Sequence, residues 1–558
     1  MAEAFNQIAD LLEFRGENPF RIHAYRRGAE AVLRAPEEPA DMARAHRLGE
    51  LPGIGTDLAG KIEEILLTGT CGELEKLRRE APAGLEELLE LPGVGPRTAA
   101  RLYRERGIGN RVDLARALAE GKLRDLSGIG KRREAQLAAV LRQGERLGVR
   151  HPLSVTLPLS TGLAAEVGRF PGVFRAEVAG SIRRFRDTTG DIDLVAATED
   201  PAAVCSAFTR LPGVERVLAE GETRARVILA EGIQADLLSV KPAGFAAVLH
   251  HSTGSKGHNV RLRALARSRG LTLNEYGLFR GDMPIAVTVE DDIYRHLGLP
   301  YVPPELREDA GEVEAALAGK VPVLLKPWDI LGDLHVHTDW SDGRHSLGEM
   351  AAAARRRGYR YLAVCDHSRS LGITRGLDEE RLKRQRVEIA AVNAAYRDFR
   401  LLAGVEVDIR PDGTLSLSDE VLAQLDWVTA SVHTGLGAGR EAQTRRLVRA
   451  MENPHVDVIG HPTGRILGKR EAYPVDMEEV MAVAARTGTA LELNASLKRL
   501  DLDTEHLRLA RERGVKVAVN SDAHSTESIG NMDHGVRAAR RGWLGTDMVL
   551  NARARPWA

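Results

Sequence analysis

"GSIRRFRDTTGDIDLV", residues 180–195, decides the fold of the central part of this 558-residue chain. Its end continues as DIDLVAAT over residues 191–198, a run of β-forming and small residues that predicts a strand. Residues two apart on a strand point to the same face of a sheet, so Asp191 and Asp193 should lie side by side. Like charges this close repel each other unless a cation lies between them. The stretch therefore predicts a strand that carries a cation site.

A third aspartate belongs to the same predicted site. RVILAEGIQADLLSV, residues 226–240, predicts a second strand that carries Asp236 among apolar residues, where a carboxylate is costly unless it is paired or binds a metal. Three convergent carboxylates suit Mg²⁺ or Mn²⁺, and the preceding Gly180, Ser181 and Arg184 could contact a triphosphate. A solvated strand end is the commoner explanation of two close aspartates. The third aspartate and the GSxRR pattern together favour phosphoryl transfer.

The chain before residue 150 is rich in Leu and Ala at helical spacing, and a short pattern recurs within it. The pattern consists of an apolar residue, a Gly-x-Gly turn and a helix start, as in LPGIG, LPGVG and LSGIG. Such a turn could simply connect two helices, but the N–H groups of the helix start can also bind a phosphate. The repeats resemble helix-hairpin-helix motifs, which implies binding to the DNA backbone. The glycines concerned are Gly53, Gly55, Gly93, Gly95, Gly128 and Gly130.

The last part of the chain alternates strand and helix patterns, which is typical of an α/β barrel. Its histidines follow apolar, strand-like runs, as in VCDHS (364–368) and WVTASVHT (427–434), and barrel enzymes build their sites at these strand ends. Mixed imidazole and carboxylate ligands suit Zn²⁺, Mn²⁺ or Fe²⁺, and such a cluster can activate water against a phosphodiester. The candidate ligands are His335, His337, Asp342, His367, Glu406, His433, His461, Asp522 and His524.

The central stretch is similar to the nucleotidyltransferase signature of family X DNA polymerases, of which DNA polymerase beta is the familiar member. The similarity continues through residues 253–279 and 291–308, which resemble the thumb of that family. It implies that Asp191, Asp193 and Asp236 bind the catalytic metal ions and that deoxynucleoside triphosphates are the substrates. The nucleotide and base-pair contacts that it implies are Gly180, Ser181, Arg184, Gly190, Asn259 and Arg263.

Two departures from the polymerase family concern its sugar selection and its lyase pocket. His251 and Ser252 stand where the eukaryotic enzymes carry the aromatic residues that exclude ribonucleotides, so sugar selection stays open. Lys61 falls where the family carries the lysine of its deoxyribose-phosphate lyase, although an isolated lysine is usually a solvated surface charge. Asp57 replaces a second basic residue of that pocket.

The C-terminal part resembles the polymerase-and-histidinol-phosphatase (PHP) domain, and all nine ligand positions of that domain are filled. The chain is thus similar to bacterial family X polymerases with a C-terminal PHP domain. The similarity implies that it fills short gaps in DNA repair and has a metal-dependent 3′-5′ exonuclease or 3′-end-processing activity. Deoxyribose-phosphate lyase activity is also implied.

The expected fold is multidomain: an all-α helix-hairpin-helix region, an α+β palm with a thumb, and a distorted TIM-like (β/α)7 PHP barrel. The expected domains are a lyase-like domain (1–80), a fingers-like helical domain (81–150), a nucleotidyltransferase palm (151–242), a thumb (243–317), a linker (318–328) and the PHP domain (329–558).

Composition narrows the class of protein further. The chain is 43% hydrophobic and 28% charged, with a net charge of −1, so no global field indicates a polyanionic partner. Its three cysteines form no CxxC pair, which argues against a disulfide framework or a zinc knuckle. Since we find no signal peptide or long apolar run, we expect a cytoplasmic, monomeric enzyme that does not bind membranes. Its expected partners are gapped duplex DNA, primer 3′ ends, 5′-phosphates and deoxynucleoside triphosphates.

Two other classes of function stay open. The PHP domain could be a phosphoesterase for small molecules, in which case it would hydrolyse histidinol phosphate without cleaving DNA. The chain could also be a noncatalytic scaffold that binds DNA ends without turnover. The three attached repeats argue against the first alternative, and the filled ligand positions at both sites argue against the second.

Overall fold

The computed structural model describes residues 2–33, 42–43, 45–68, 70–82, 84–89, 94–123, 134, 150–369 and 375–556. The chain divides into two units, residues 1–149 and residues 150–558. None of the helices in the described ranges combines the length and the apolar character that a membrane span requires.

The described part of the first unit is helical, as its Leu and Ala spacing predicts. Apolar side chains of its helices form one core, in which Phe5 packs edge-on against Tyr25 with ring centres 5.7 Å apart. The helices are Ala2–Arg15, Pro19–Leu33, Thr56–Thr68, Gly72–Glu80, Leu85–Leu89, Pro96–Arg106 and Arg111–Ala119, with a 3-10 turn at Leu48–Glu50.

Two of the three glycine repeats lie at least partly within the described residues. In the first, Gly53 has a φ of +82°, a left-handed conformation that suits glycine, and the helix Thr56–Thr68 starts directly after Gly55. In the second, Gly95 precedes the helix Pro96–Arg106. Both therefore end in a helix start, as the repeat pattern predicts. The predicted residues Gly93, Gly128 and Gly130 lie outside the described residues.

Residues 150–240 form a five-stranded sheet, here called the central sheet, with strand order β2-β4-β7-β6-β5. Strand β4 pairs in parallel with β7 and antiparallel with β2, and the alternate residues of β7 are buried. The strands are β2 (Val173–Val178), β4 (Asp191–Thr198), β5 (Val214–Glu220), β6 (Arg224–Leu229) and β7 (Gln234–Val240), and a short ladder joins β1 (His151–Pro152) to β3 (Thr188–Thr189). The helices are Leu153–Val167, Gly180–Arg183 and Pro201–Thr209.

Residues 242–317 form a small helical layer with a three-stranded sheet. A buried ion-pair network holds it to the central sheet: Glu290 accepts hydrogen bonds from Arg307 (2.7 Å) and Arg183 (2.6 Å). Burial opposes ionisation of Glu290, but the two guanidinium groups lower its pKa to about 2. The elements are Pro242–Gly244, Phe245–Thr253, Lys256–Ser268, β8 (Thr272–Asn274), β9 (Gly277–Arg280), β10 (Met283–Ile285), Glu290–His296, Pro304–Leu306 and Glu312–Leu317.

Within residues 329–369 and 375–556, seven parallel strands follow each other in chain order around a nearly closed barrel. The last strand returns beside the first through a bridge between Val336 and Ala523. This confirms the predicted (β/α)7 barrel. Its strands are β11 (Gly332–Val336), β12 (Tyr361–Val364), β13 (Arg400–Asp408), β14 (Trp427–Ser431), β15 (Val458–Ile459), β16 (Ala490–Asn494) and β17 (Val517–Asn520).

The barrel strands are almost entirely buried, which accounts for their continuous apolar runs. One hydrophobic cluster extends from the barrel into the central sheet and includes Ile182 and Phe185 from the sheet side. The helices are Leu347–Arg356, Glu379–Ala394, Asp419–Leu422, Arg440–Met451, Met477–Thr487, Thr504–Arg513 and Met532–Arg541, with 3-10 turns at Pro327–Asp329, Ser528–Asn531 and Leu550–Ala552.

We expect Glu290→Gln to lower the free energy of unfolding of the second unit by about 3–5 kcal/mol, because it leaves Arg307 as a buried charge without a full partner. Urea unfolding followed by tryptophan fluorescence measures this, since all five tryptophans lie between residues 328 and 557. The pKa of Glu290 is about 2 in the folded protein and about 4.3 in an unfolded chain. The stabilisation is therefore complete above about pH 5 and is lost as the pH falls towards 2.

The matched control is Glu314→Gln. Glu314 pairs with Arg261 at 3.2 Å, but both side chains are 55% exposed, so its loss should cost less than about 1 kcal/mol. Equal effects of the two substitutions would contradict the structural role assigned to the buried network.

Candidate active sites

The three aspartates converge at one edge of the central sheet. The parallel register of β4 and β7 places Asp193 directly opposite Asp236, with Asp191 two residues earlier on β4. Burial, together with the charges of Asp191 and Asp236, raises the pKa of Asp193 to about 7. Burial and Asp236 likewise raise the pKa of Asp191. A divalent cation bound by these oxygens would remove this repulsion, so the residues present fit Mg²⁺ or Mn²⁺.

Two neighbours orient the Asp236 carboxylate, and sequence reasoning missed both. Arg226, opposite Asp236 on β6, donates from Nη2 at 2.6 Å and from Nε at 2.9 Å. Gln234 Nε2 donates to the same carboxylate at 2.9 Å. The alternation along β7 could have identified Gln234, because residues 234 and 236 share a face. Arg226 could not be found this way, because its position depends on the pairing register.

Gly180 passes so close to the Asp193 carboxylate that only glycine fits. A Cβ at this position would lie 1.9 Å from Asp193 Oδ2, and the φ of Gly180 is +58°. The short helix Gly180–Arg183 begins here, so its first turn, which includes Ser181, lies beside the aspartates. Gly190 immediately precedes β4 and has open space around it. Of the predicted triphosphate contacts on this stretch, Gly180 therefore lies against the Asp193 carboxylate.

Arg184 lies in a cluster of ion pairs. Its Nε donates to Glu308 Oε1 at 2.9 Å, and its Nη1 donates to the carbonyl oxygen of Thr253. Glu308 also accepts hydrogen bonds from Arg186 at 3.1 Å and from Arg541 at 2.8 Å. Arg184, the predicted triphosphate contact, therefore shares the Glu308 carboxylate with the guanidinium groups of Arg186 and Arg541.

Asn259 and Arg263 meet at His251. Asn259 Nδ2 donates to the carbonyl oxygen of His251 at 2.8 Å, and Arg263 Nη2 lies 3.2 Å from His251 Nδ1. Burial and the charge of Arg263 lower the pKa of His251. The neighbouring Ser252 Oγ is buried and makes no hydrogen bond to the described residues. Of the two residues that replace the aromatic pair, His251 thus contacts the predicted base-pair residues.

All nine predicted barrel ligands converge at the carboxyl ends of the barrel strands. Glu406 is at the centre: His367 Nδ1, His433 Nε2 and His461 Nε2 lie 2.8, 3.2 and 3.1 Å from its carboxylate oxygens. Donor atoms within 4.8 Å of one another form three overlapping groups. These are His337, Asp342, His367 and His524; His335, His337 and Asp522; and His367, Glu406 and His433.

The donor geometry fits metal ions. Two ligands that are each about 2.1 Å from one ion lie roughly 3–4 Å apart. His337 Nδ1 is buried, makes no hydrogen bond to a described residue, and lies 3.8 Å from Asp342 Oδ1. Burial opposes protonation of His433, but Glu406 and Asp408 raise its pKa to about 10. The carboxylates thus attract positive charge that a metal ion would supply, and the mixed donor set suits Zn²⁺, Mn²⁺ or Fe²⁺.

Further carboxylates orient the ligand histidines. Glu492 Oε1 lies 2.7 Å from His335 Nδ1, and Asp408 Oδ1 lies 2.6 Å from His433 Nδ1. Such partners fix which ring nitrogen faces a metal. Sequence reasoning missed both. Glu492 could have been noticed from the sequence. It is an acidic residue within the apolar run of β16, and β16 was the one barrel strand to which no ligand had been assigned.

In the first unit, Lys61 is held by its neighbours. Its Nζ lies 2.5 Å from Asp57 Oδ1, one helical turn earlier, and 5.9 Å from the centre of the Tyr25 ring. Burial lowers the pKa of Lys61, but the hydrogen bond to Asp57 and the interaction with Tyr25 outweigh this effect and raise it. A Schiff-base nucleophile must be a neutral amine, so Asp57 opposes the predicted chemistry.

Family models match four parts of the chain. They are a helix-hairpin-helix domain at residues 1–71, a SAM-like helix-hairpin-helix tandem at 85–143, the DNA polymerase beta thumb at 248–308 and a PHP domain at 333–496. Together with the two carboxylate-rich sites, these matches define a polymerase of the DNA polymerase beta class joined to a PHP domain.

The particular family follows from a relative that matches along almost the whole chain. The DNA polymerase/3′-5′ exonuclease PolX of Bacillus subtilis (strain 168) is 40% identical over 551 residues, which cover 98% of this chain and 96% of its own. The chain belongs to this family, the PolX polymerases of family X that carry a PHP domain.

Shorter relatives match part of the chain. Probable phosphatases of Thermoanaerobacter sp. (strain X514) and of Syntrophotalea carbinolica (strain DSM 2380 / NBRC 103641 / GraBd1) are each 32% identical over 231 residues. These residues are 39% of this chain and 89% and 90% of the respective phosphatases.

We expect Gly180→Ala to lower the rate of primer extension by about a hundredfold or more, because the new Cβ must displace the Asp193 carboxylate. Removal of nucleotides in the absence of deoxynucleotides should be unchanged. Gel-resolved extension and degradation of a labelled primer measure both. Gly213→Ala is the control, since a Cβ there has no atom within 4 Å, and it should retain both activities. Normal extension by Gly180→Ala would show that this close approach is not needed.

Proposed function

We propose that the chain is a two-activity DNA repair enzyme that extends primer 3′ ends across short gaps and removes nucleotides or blocking groups from 3′ ends. The main observation in support is that one chain contains two separate carboxylate-rich sites, one on the central sheet and one in the barrel. The family membership supports this, because the Bacillus relative is named for both activities.

The proposal assigns a role to each part of the chain. Residues 151–242 act as the palm and residues 243–317 as the thumb, while the barrel of residues 329–558 is the exonuclease. The helices of residues 1–80 and 81–150 hold the DNA on either side of the gap and bind its 5′-phosphate. The matching helix-hairpin-helix models and the glycine turns before helix starts support this last role.

At the central sheet, Asp191, Asp193 and Asp236 would hold Mg²⁺ or Mn²⁺. These ions, when bound, neutralise charge on the transferring phosphate groups. Arg226, on the other side of β7 from β4, fixes the orientation of the Asp236 carboxylate. The backbone at Gly180 approaches the site closely enough to place the first turn of its helix against a triphosphate.

Four further polar residues complete the nucleotide-binding part of the proposal. The Ser181 hydroxyl and the Arg184 guanidinium supply donors for the triphosphate, with Gly190 leaving open space beside them. Asn259 and Arg263, gathered at His251, contact the nascent base pair and the template.

At the barrel, the nine ligands would hold up to three Zn²⁺, Mn²⁺ or Fe²⁺ ions, as the three overlapping donor groups suggest. Such ions, when bound, would polarise a phosphodiester and lower the pKa of a water molecule, so that it loses a proton and can attack the phosphorus. Glu492 and Asp408 hold His335 and His433 in the required ring orientation. Asp342 and His524 have the most exposed side chains of the four donors in their group and would lie on the side that DNA reaches.

A second candidate function of the barrel is hydrolysis of small phosphate esters, which the similarity to probable phosphatases favours. The same donor set would serve either substrate. Rapid hydrolysis of histidinol phosphate by a protein that leaves a DNA primer intact would support this alternative over the exonuclease.

The principal test uses a 5′-labelled primer beside a short gap, incubated with protein and Mn²⁺, with and without deoxynucleotides. The wild-type protein should lengthen the primer when nucleotides are present and shorten it when they are absent. Asp191→Ala should abolish lengthening and spare shortening, because it removes a ligand of the sheet site alone. His335→Ala should do the reverse.

Glu231→Ala and His296→Ala are controls for these variants. Both residues are exposed and neither belongs to a donor group, so both activities should be retained. Loss of both activities in either Asp191→Ala or His335→Ala would contradict two independent sites. A primer that stays unchanged in every lane would leave only the role of a DNA-binding scaffold.

For the proposed lyase activity, we expect Asp57→Asn to increase trapping of Lys61 on DNA with a 5′-deoxyribose phosphate. The substitution removes the charge that helps to raise the pKa of Lys61, so more of the amine is neutral near pH 7. Borohydride reduction of the Schiff base followed by gel electrophoresis measures the trapped complex. Lys61→Arg should give no complex, and Lys76→Ala, at an exposed position, should trap normally. Equal trapping by Lys61→Arg would assign the nucleophile to another residue.

A further inference from the structure

The barrel helix Met532–Arg541 holds the backbone of the turn that follows Gly180. Arg537 Nη2 donates a hydrogen bond to the carbonyl oxygen of Arg183 at 2.8 Å. Arg541 Nη1 donates to the carbonyl oxygen of Arg184 at 2.9 Å. These carbonyls belong to the end of the short helix at the triphosphate turn, where carbonyl groups need outside donors. The barrel therefore supplies two anchors to a part of the polymerase site.

The same barrel helix encloses the side chain of Phe185. The Arg537 guanidinium lies 4.4 Å from the centre of the Phe185 ring, and His534 stacks on that ring at 6.2 Å. Phe185 is fully buried and has a φ of +60°, a conformation that is rare for a bulky residue. Such a conformation persists only where the surroundings enforce it, and here those surroundings include the barrel.

Arg541 also shares the carboxylate that pairs with Arg184. Glu308 Oε1 accepts from Arg184 at 2.9 Å and from Arg541 at 2.8 Å, and Glu308 Oε2 accepts from Arg186 at 3.1 Å. The side chains of Glu308 and Arg541 are about one-tenth exposed, so water screens these charges little. One carboxylate thus accepts hydrogen bonds from three guanidinium groups, so Arg184 has to share its carboxylate partner with Arg186 and Arg541.

The position of Arg541 is itself fixed within the barrel. Its Nε donates to Thr504 Oγ1 at 2.9 Å, at the start of the helix Thr504–Arg513. A second barrel segment holds the other end of the turn, since Arg465 Nη2 lies 2.8 Å from Asp187 Oδ2. The stretch from Arg183 to Asp187 is therefore held by barrel residues along its whole length.

We propose that Arg541 is a positioning residue of the polymerase, by which the PHP barrel keeps Arg184 able to bind the incoming triphosphate. Arg541 shares the Glu308 carboxylate with Arg184 and anchors the turn that carries Arg184. Without Arg541, Glu308 neutralises Arg184 more completely and competes with the triphosphate for its guanidinium. The barrel thereby serves polymerisation in addition to its own hydrolytic site. This inference rests on the proposed role of Arg184 in triphosphate binding.

The test measures single-nucleotide insertion at a gap by the full-length protein, with KM for the deoxynucleotide and kcat determined separately. Arg541→Met should raise KM by about tenfold, the effect expected from weakening a hydrogen bond to a charged group. The kcat and the removal of nucleotides by the barrel should change little. Arg541→Lys, which keeps the charge, should lie between the wild type and Arg541→Met. The control is Arg513→Met, which breaks an exposed pair with Glu478 and should leave KM unchanged.

A second substitution separates this electrostatic role from simple loss of packing. Glu308→Gln in the Arg541→Met background removes the competing charge and should return KM towards the wild-type value. A protein damaged by lost packing would not be restored in this way. An unchanged KM in Arg541→Met, or a raised KM that Glu308→Gln fails to lower, would overturn the proposal.

Arg184→Met distinguishes failure of this inference from failure of the proposed triphosphate site. If Arg184→Met raises KM and Arg541→Met does not, the role of the barrel residue is wrong while the triphosphate site stands. If Arg184→Met leaves KM unchanged, Arg184 does not bind the triphosphate and the inference falls with it. A raised KM in both variants, restored in the second by Glu308→Gln, supports both.

Discussion

The parallel pairing of β4 with β7 places two carboxylates next to each other, and neighbouring residues of the central part of the protein accommodate their repulsion. Asp193 and Asp236 are directly opposite in the register, so their side chains start side by side on one face of the sheet. Their repulsion is strong because the site is largely buried. Arg226 offsets part of it on one side, and Gly180 allows the backbone to close over the other. The fold therefore holds three carboxylates close together, and a bound cation would neutralise the negative charge that Arg226 leaves uncompensated.

The barrel meets the same electrostatic demand with different donors. Glu406 is surrounded by imidazoles, and further carboxylates hold the far ring nitrogens of those histidines. The sheet site presents mainly carboxylate oxygens, which suit hard, oxygen-seeking cations. The barrel site mixes nitrogen and oxygen donors, which suit transition metals and zinc. The two donor sets, if both hold metal ions, would therefore favour different ions.

Much of this could be predicted from local pattern. The spacing of Asp191 and Asp193 required only the period of a strand, and the repeated placement of histidines after apolar runs identified the barrel site. Arg226 and Asp408 could not be found in this way, because their roles depend on strand register and on which ring nitrogen faces them. The role of Arg541 could not be predicted from the sequence either, because more than 350 residues separate it from the turn whose backbone it binds. The contact between Lys61 and Asp57 could be predicted, because residues four apart on a helix are neighbours. Its effect on the pKa of Lys61 could not, because that effect also depends on how far the lysine is buried.

The contacts of the helix Met532–Arg541 also bear on how two opposed activities share one DNA end. Polymerisation lengthens a 3′ end and the barrel shortens it, so the end has to reach both sites. A barrel that swung towards the primer would release Arg183 and Arg184 from Arg537 and Arg541, and would expose the apolar cluster that joins barrel and sheet. Both losses would affect the turn of residues 183–187, which the proposal assigns to triphosphate binding, so the movement would be expected to weaken polymerisation. The packing therefore favours a fixed barrel and a DNA end that leaves one site to reach the other.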